Sequence, residues 1–354
     1  MSKDIIRNPI IGEDLRFITS ARLPWKILEG KNILVSGASG FLPAYMVETL
    51  LYLNETQFKN KLKVYALVRD LKKAKKRFHN YRGRSDLKFV VQDVCKPLHI
   101  GKAIHYVIHA ASHSSPKYYG KDPTGTIAAN TIGTYNLLEL ARAKRSEGFL
   151  FFSSGEVYGD IPARSMPIAE NMYGYLDPVA LRSCYGEGKR AGETMCVCWF
   201  HHYGVPVKIV RPFHTYGPGM ALDDGRVYAD FISNILYNQN IIIKSKGTAK
   251  RTFCYLADAT IGFFTILLKG KNGDAYNVAD KNGEISVRDL ARMLIKLFPE
   301  KKLAIRLNAN VKQAGYIKSR VQRAYPETSK AESLGWAPRY SLEDGFERTI
   351  RSFL

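Results

Sequence analysis

An α/β fold is expected for this chain: a doubly wound parallel sheet with helices on both faces, followed by a smaller, mixed C-terminal region. Three observations in the 354 residues predict it. An apolar strand, a glycine-containing turn and a helix follow one another without a gap from Lys31 to Leu51. Short apolar runs at Lys63–Val68, Phe89–Val94, Tyr106–Ala111, Phe149–Phe152 and Val207–Arg211 alternate with helical patterns, the order of parallel strands joined by crossover helices. Beyond Tyr216 the chain changes to short strands mixed with helices, and no internal repeat is visible.

In chain order, residues 1–30 carry Pro9, Gly12, Pro24 and Gly30 around an amphipathic piece from Glu13 to Ile18. They read as an N-terminal extension whose short helix docks on the body or on a neighbouring subunit. Lys31–Ser36 is the first strand, and Gly37-Ala38-Ser39-Gly40-Phe41-Leu42-Pro43 turns it into the helix Ala44–Leu51. Gly37 and Gly40 let the backbone approach a pyrophosphate, whose charge meets the N–H groups at the helix start. Pro43 stands where a third glycine is common, and the first helical turn tolerates it. The strand Lys63–Val68 ends at Arg69-Asp70. A carboxylate there binds a ribose hydroxyl pair and an arginine accommodates a 2′-phosphate, so these residues leave NAD and NADP both open.

The helix Thr131–Arg142 precedes the strand Phe149–Phe152, which delivers Ser153, Ser154 and Glu156 to its carboxyl end, where ligands bind in such sheets. The next helix, Tyr185–His202, contains Gly186, Gly188 and Gly192. Each mid-helix glycine costs about 1 kcal/mol relative to alanine, so the cluster predicts close backbone packing. After the strand Val207–Arg211 come helices at Asp230–Leu236, Asp258–Leu268 and Val287–Phe298, with strands at Asn240–Lys244 and Ala275–Val278. Residues 31–215 are read as mainly the dinucleotide domain and 216–354 as mainly the substrate region, with some interleaving and a ligand cleft between them.

The chemistry centres on Ser183-Cys184-Tyr185-Gly186-Glu187-Gly188-Lys189-Arg190. On a helix, Tyr185 and Lys189 share one face. A phenol titrates near ~10 in water, and a neighbouring ammonium favours the phenolate, which makes the pair a candidate general base.

Composition narrows the rest. With 45% hydrophobic and 24% charged residues the chain is ordinary for a globular protein, but its net charge of +21 favours an anionic partner. The run Lys72-Lys73-Ala74-Lys75-Lys76-Arg77 has no interleaved aromatic platform and reads as a solvated helix face, so nucleic acid is not expected. Cys95, Cys184, Cys196, Cys198 and Cys254 form no Cys-x-x-Cys pair, which implies reduced thiols and no structural zinc. His109, His113, His201 and His202 lack further ligands at metal spacing and read as core or surface residues. No apolar run reaches the ~18 residues of a membrane span, and a cytoplasmic protein is expected.

Taken together, the strand-Gly-x-x-Gly-Phe turn, Ser153-Ser154-Gly155-Glu156-Val157-Tyr158-Gly159, Tyr-x-x-x-Lys and Arg211-Pro212-Phe213-His214-Thr215-Tyr216-Gly217-Pro218 resemble the extended short-chain dehydrogenase/reductase family in its nucleotide-sugar branch. The resemblance covers roughly residues 31–350. It implies a Rossmann-type fold and a homodimer formed through the Tyr185 helix. It further implies a cycle in which NAD takes a hydride from a sugar carbon, Tyr185 takes the hydroxyl proton, Lys189 lowers the tyrosine pKa and holds the cofactor ribose, and Ser154 bonds the reacting oxygen. By motif position it places Gly37, Ser39, Gly40, Phe41 and Leu42 at the pyrophosphate, Asp93 and Val94 at the adenine, and Ala110 and Ala111 beside the cofactor; Arg69 joins the expected cofactor-binding residues from its place at the end of the second strand.

Within that branch, Ser115-Pro116-Lys117-Tyr118-Tyr119, the Tyr185 stretch, Asp224-Gly225-Arg226-Val227 and Arg251-Thr252-Phe253 look most like UDP-glucuronate decarboxylases. The implied chemistry oxidises C4 of a nucleotide hexuronate, so that the C6 carboxylate leaves from a β-keto acid. Arg226 and Arg251 would neutralise the phosphates or the carboxylate, and Tyr119 and His214 would contact the substrate; Glu156 is a candidate to abstract a C5 proton, a step that neither C4 epimerisation nor 4-ketoreduction requires. Dehydratases of the branch carry an Asp-Glu pair where this chain has Gly155-Glu156, and decarboxylases usually have serine at Gly155 and asparagine at His214. Epimerisation at C4, 4,6-dehydration and 4-ketoreduction, all reactions of polysaccharide precursor synthesis, remain open alongside decarboxylation. A non-catalytic binding module is the competing class, against which Ser154, Tyr185 and Lys189 argue.

Overall fold

The computed structural model describes residues 8–308 and 321–354. Seven parallel strands form the central sheet: β1 (Asn32–Ser36), β2 (Lys63–Val68), β3 (Leu87–Val91), β4 (Tyr106–His109), β5 (Gly148–Phe152), β6 (Val207–Pro212) and, from the C-terminal region, β10 (Ala275–Val278). Their order across the sheet is β3-β2-β1-β4-β5-β6-β10, with Ser36 in register with Leu67 on one side and His109 on the other. All seven carboxyl ends therefore lie along one edge. Covered on both faces, the inner strands are apolar throughout: Ile33, Leu34 and Val35 of β1 and Phe149, Leu150 and Phe151 of β5 are wholly buried.

The crossovers are α2 (Phe41–Thr56), α3 (Leu71–Arg77), the broken pair α5 (Pro123–Asn130) and α6 (Ile132–Lys144) preceded by the short α4 (Lys117–Lys121), then α7 (Ser183–Tyr203) and α9 (Leu256–Lys269). Before them, α1 (Pro9–Thr19) is capped by Asn8, whose Oδ1 accepts from the N–H groups of Ile10 and Ile11. Leu15 and Ile18 bury this helix against α2 and α9.

The smaller layer holds β7 (His214–Tyr216), β8 (Ile241–Ile243), β9 (Lys250–Tyr255), β11 (Glu284–Ser286), β12 (Ile305–Leu307) and β13 (Arg323–Ala324), with α8 (Val227–Leu236), α10 (Val287–Leu297), α11 (Ser329–Glu332) and α12 (Leu342–Arg351). Strand β9 pairs with β7, β11 and β13. The two layers interleave at residues 212–216: β6 ends in the large sheet, and β7 begins the small one two residues later, while β10 returns to the large sheet beside β6. The structure departs from the sequence expectation at the third strand, which starts at Leu87 and ends at Val91 because Gln92–Cys95 turn away and Asp93 accepts the Cys95 N–H, and in the short strands β7, β9, β11, β12 and β13, which were not anticipated.

Candidate active site

Along the carboxyl edge of the large sheet runs a cleft of about 1850 Å³, closed on the far side by the small layer. Every site residue expected from the sequence lines it. Gly37, Ser39, Gly40, Phe41 and Leu42 come from the β1–α2 turn, Arg69 from the end of β2, Asp93 and Val94 from beyond β3, and Ala110 and Ala111 from beyond β4. Tyr119 comes from α4, Ser154 and Glu156 from beyond β5, and Tyr185 and Lys189 from α7. His214 on β7, Arg226 at the cap of α8 and Arg251 on β9 complete the small-layer wall.

The β1–α2 turn fits a dinucleotide. Gly37 has φ +64°, and a Cβ on it would stand 2.8 Å from the Ala111 Cα, so any side chain there would fill the space above the sheet. Gly40 caps α2 with no side-chain oxygen over the first N–H groups, which stay available to a pyrophosphate. Beneath the turn, a buried chain of hydrogen bonds fixes β1 to β4. Thr134 donates to the Asn130 carbonyl, so its Oγ1 accepts from His109 Nε2 at 3.0 Å, and His109 Nδ1 in turn accepts from the Ser36 hydroxyl at 2.8 Å. The Ser36 oxygen then takes both the Ala110 and Ala111 N–H groups at 3.1 Å. Burial first, and the Lys189 charge second, push His109 down to about 3 and keep this imidazole neutral. His109 is thus a structural core residue.

Tyr185 and Lys189 share the buried face of α7. The glycines on that helix make this possible: a Cβ on Gly192 would lie 2.5 Å from Phe151, and one on Gly188 would lie 3.2 Å from the Asn130 Cβ, so α7 seats directly on β5 and α5. Burial pushes the Tyr185 phenol up to about 12, opposed by its hydrogen bond with Ser154 and by the Arg226 charge and reinforced by Glu156. Burial likewise pulls Lys189 down to about 7 against the charges of Glu193 and Cys196. Its Nζ donates to the Phe152 carbonyl and lies 5.7 Å from the centre of the Tyr185 ring. The Tyr119 ring stacks on Tyr185 at 5.2 Å and 17°.

Glu156 stands in a bidentate ion pair with Arg182, at 2.6 and 3.2 Å, and the Arg182 guanidinium lies 5.6 Å over Tyr119. Gly155 packs closely, since a Cβ there would stand 3.0 Å from the Phe213 ring, which would have to give by a few tenths of an ångström. On the opposite wall, Arg226 pairs with Asp224 at 2.9 Å and donates to the Ser114 carbonyl, while Arg251 is held by the carbonyls of Val321 and Gln322. Between these arginines, burial and then the Arg251 and Arg226 charges hold His214 well below its ordinary value, and its buried Nδ1 has no hydrogen-bond partner among the described residues. No group of three or more His, Cys, Asp and Glu suited to a metal occurs among the described residues, and none of their helices is long and apolar enough to cross a membrane.

The profile of the NAD dependent epimerase/dehydratase family matches residues 33–279. The chain belongs to this family. Two similar sequences are UDP-glucuronic acid decarboxylase 3 of Arabidopsis thaliana, 32% identical over 315 residues covering 89% of this chain and 86% of the relative, and UDP-glucuronic acid decarboxylase 1 of Xenopus tropicalis, 30% identical over 342 residues covering 96% and 76%. Among solved structures, the fold is shared with UDP-glucuronic acid 4-epimerase from Bacillus cereus, in complex with UDP-glucuronic acid and NAD (TM-score 0.75, 24% identity, 91% of this chain and 98% of that one). It is shared also with dTDP-glucose 4,6-dehydratase from Bacillus anthracis in complex with NAD (TM-score 0.74, 19% identity, 91% and 96%).

As a member of the NAD dependent epimerase/dehydratase family the chain is an NAD-dependent enzyme, and the glycine cradle, the open first turn of α2 and the locked Ala110-Ala111 pair are the residues that would hold NAD. Sequence reasoning missed Arg182. The available signal was an arginine three residues ahead of Tyr185, one helical turn away, but residues 173–182 have no periodicity from which to place it.

Proposed function

We propose that this enzyme converts a nucleotide-linked hexuronate of the UDP-glucuronate type to a pentose by transient oxidation at C4 and decarboxylation. The observation that carries the reading is the gathering of three guanidinium groups, Arg182, Arg226 and Arg251, on the cleft that holds Tyr185. Arg182 and Arg226 both act on Tyr119, and Arg226 and Arg251 both act on His214, so the three fields overlap. A nucleoside diphosphate joined to a uronate presents phosphate and carboxylate oxygens to these groups, and arginine recognises both in the same planar fashion. The sequence relatives that cover most of this chain are decarboxylases of that substrate class.

In this reading NAD, when bound, supplies the hydride acceptor at C4 and later the donor. Tyr185 takes the C4 hydroxyl proton and returns it on re-reduction, and Ser154 bonds the same oxygen. Lys189, whose Nζ donates to the Phe152 carbonyl, is the residue that would hold the cofactor ribose. Oxidation at C4 places a ketone β to the C6 carboxylate, whose C5–C6 bond then breaks with its electron pair passing to the ketone as an enolate. C5 is reprotonated before the hydride returns. Glu156, gripped by Arg182, lines the same cleft as Tyr185.

Exposed apolar side chains on α5, α6 and α7, Ile127, Ile132, Tyr135 and Tyr203, support a homodimer through those helices, and five free cysteines support a cytoplasmic enzyme. Residues 31–215 supply most of the dinucleotide half and 216–354 most of the substrate half.

Mass spectrometry of the nucleotide sugar after incubation with enzyme and NAD tests the reaction. Loss of carbon dioxide from a nucleotide hexuronate, abolished by Tyr185→Phe, is expected. A product of unchanged mass but altered retention would replace decarboxylation with epimerisation.

A further inference from the structure

Two loops meet across the cleft. Residues 114–117 run from beyond β4 into α4 on the large-sheet side, residues 223–226 lead into α8 in the small layer, and both stretches line the cavity. Three side chains clasp them together. The Ser115 hydroxyl donates to the Asp224 carbonyl at 2.5 Å, Lys117 Nζ donates to the Asp223 carbonyl at 3.0 Å and to its carboxylate at 2.9 Å, and Arg226 Nη2 donates to the Ser114 carbonyl at 2.6 Å.

This clasp has a buried end and an open one. Ser115 is buried, whereas the Asp223 side chain is 84% exposed and that of Lys117 35%, so the ion pair stands at the mouth of the cleft. At the buried end, the Ser114 carbonyl also accepts from the Tyr119 hydroxyl at 3.0 Å, and the Tyr119 ring stacks on Tyr185. The Arg226 charge reaches the Tyr185 phenol as well and favours its ionised form. One backbone oxygen thus joins the ring stacked on Tyr185 to an arginine of the far wall, and closing the clasp closes the cleft over Tyr185. An exposed ion pair is worth little, so the open end can part and reform in each turnover.

The decarboxylation cycle has a use for such closure. Loss of carbon dioxide removes one negative charge from the bound sugar, so the cleft arginines hold the ketone less tightly than the hexuronate, at the stage when it must stay to be reduced. A ketone that leaves early balances without any further reagent: carbon dioxide, a free nucleotide 4-ketopentose and NADH are formed, one of each per hexuronate. We propose that the Ser115–Asp224 and Lys117–Asp223 contacts decide the product, by keeping the 4-ketopentose in the cleft until C4 takes the hydride back, so that the pentose and not the ketone is released. Ser115 and Lys117 are positioning residues here, acting through the loop that carries Arg226. The proposal rests on the decarboxylation reading above.

Two measurements on the full-length chain with NAD test it. In a Tyr185→Phe background, where no turnover obscures binding, dissociation of UDP-glucuronate is followed by stopped flow. Lys117→Glu and Asp223→Lys are each expected to speed it about two- to fivefold, and the two together to restore it by reversing the ion pair. Ser115→Ala leaves every charge in place and is expected to speed it about two- to tenfold. With Tyr185 intact, the same single variants should raise the share of hexuronate that ends as free 4-ketopentose, read by mass, with an equal amount of NADH, read by absorbance, and the paired reversal should lower it again. Dissociation or a ketone share left unmoved by Ser115→Ala and by both single reversals, or moved as far by the paired reversal as by the single ones, would overturn the proposal and leave decarboxylation standing. No loss of carbon dioxide from the hexuronate with the unaltered chain would overturn both.

Discussion

Arg182 grips both carboxylate oxygens of Glu156, at 2.6 and 3.2 Å, directly beside the stacked pair Tyr119 and Tyr185. The pair is only partly shielded, with Arg182 19% and Glu156 33% exposed, so its worth is positional more than energetic. It fixes a guanidinium over the Tyr119 ring, which stacks on Tyr185. Arg182→Gln releases Glu156 and removes the guanidinium that lies over Tyr119, and kcat/KM for a nucleotide hexuronate is expected to fall about 10- to 100-fold. Arg182→Lys keeps the charge but loses the fork, and should recover part of the loss through KM more than kcat. Steady-state kinetics of the two variants check this. Equal loss in both would mean that the planar geometry alone matters.

Lys189 carries a stability cost. Its folded pKa lies near 7 against an ordinary 10.5, with burial the main cause. Below 7 both folded and unfolded chains carry the proton and the folded state bears the full penalty of a buried charge. Between 7 and 10.5 the unfolded chain holds more protons, so this group's contribution makes stability rise with pH across that window. Lys189→Met is therefore expected to raise Tm more at about pH 6 than at about pH 10 while abolishing turnover, a trade between stability and activity at one position. Thermal melts at the two pH values measure it, and a uniform shift would sink the account.

Asp14 shows the same physics in a purely structural setting. It is wholly buried on α1, accepts from the hydroxyls of Tyr45 at 2.9 Å and Tyr255 at 2.7 Å, and pairs with Arg348 at 2.8 Å. One carboxylate thus ties the first helix to α2, β9 and α12. Asp14→Ala leaves two buried hydroxyls without their shared acceptor while Arg348 keeps Glu13 and the Ile10 carbonyl, and a loss of about 2–3 kcal/mol is expected from denaturant unfolding. A loss below about 1 kcal/mol would show that the site relaxes around the gap.

Much of this was legible in the sequence, for local reasons. The strand-turn-helix at Lys31–Leu51 and the helix carrying Tyr185 announce themselves through period and glycine spacing, and the predicted close packing at Gly188 and Gly192 is seen against Asn130 and Phe151. What was hidden depends on residues far apart in the chain. The partner of Asp14 lies 334 residues away in Arg348, and β10 joins the central sheet across a gap that no local pattern encodes. Strand β9 escaped notice because it opens with Lys250 and Arg251, whose charges mask the apolar run behind them. The Lys189 ammonium turns to the Phe152 carbonyl, a contact between a helix and a strand end that no spacing rule anticipates.

Asp258 gives the sharpest pH test. It is wholly buried in the first turn of α9, and its Oδ2 accepts from the Tyr340 N–H at 2.9 Å. Burial pushes its carboxyl up from 3.8 to about 7, opposed by the N–H groups of Tyr340 and Arg339 and aided by Asp280 and Asp14. Here the folded chain keeps the proton longer than the unfolded one. The contribution of this group to stability accordingly falls as pH rises from 3.8 to about 7, and the full penalty persists above that. Asp258→Asn preserves an oxygen acceptor for Tyr340 and cannot ionise. Its Tm should match the unaltered chain at about pH 4 and exceed it at about pH 8, the difference growing through the window between. A difference that stays flat from acid to alkaline pH would show that Asp258 is ionised throughout, its charge met by backbone N–H groups more strongly than burial opposes it.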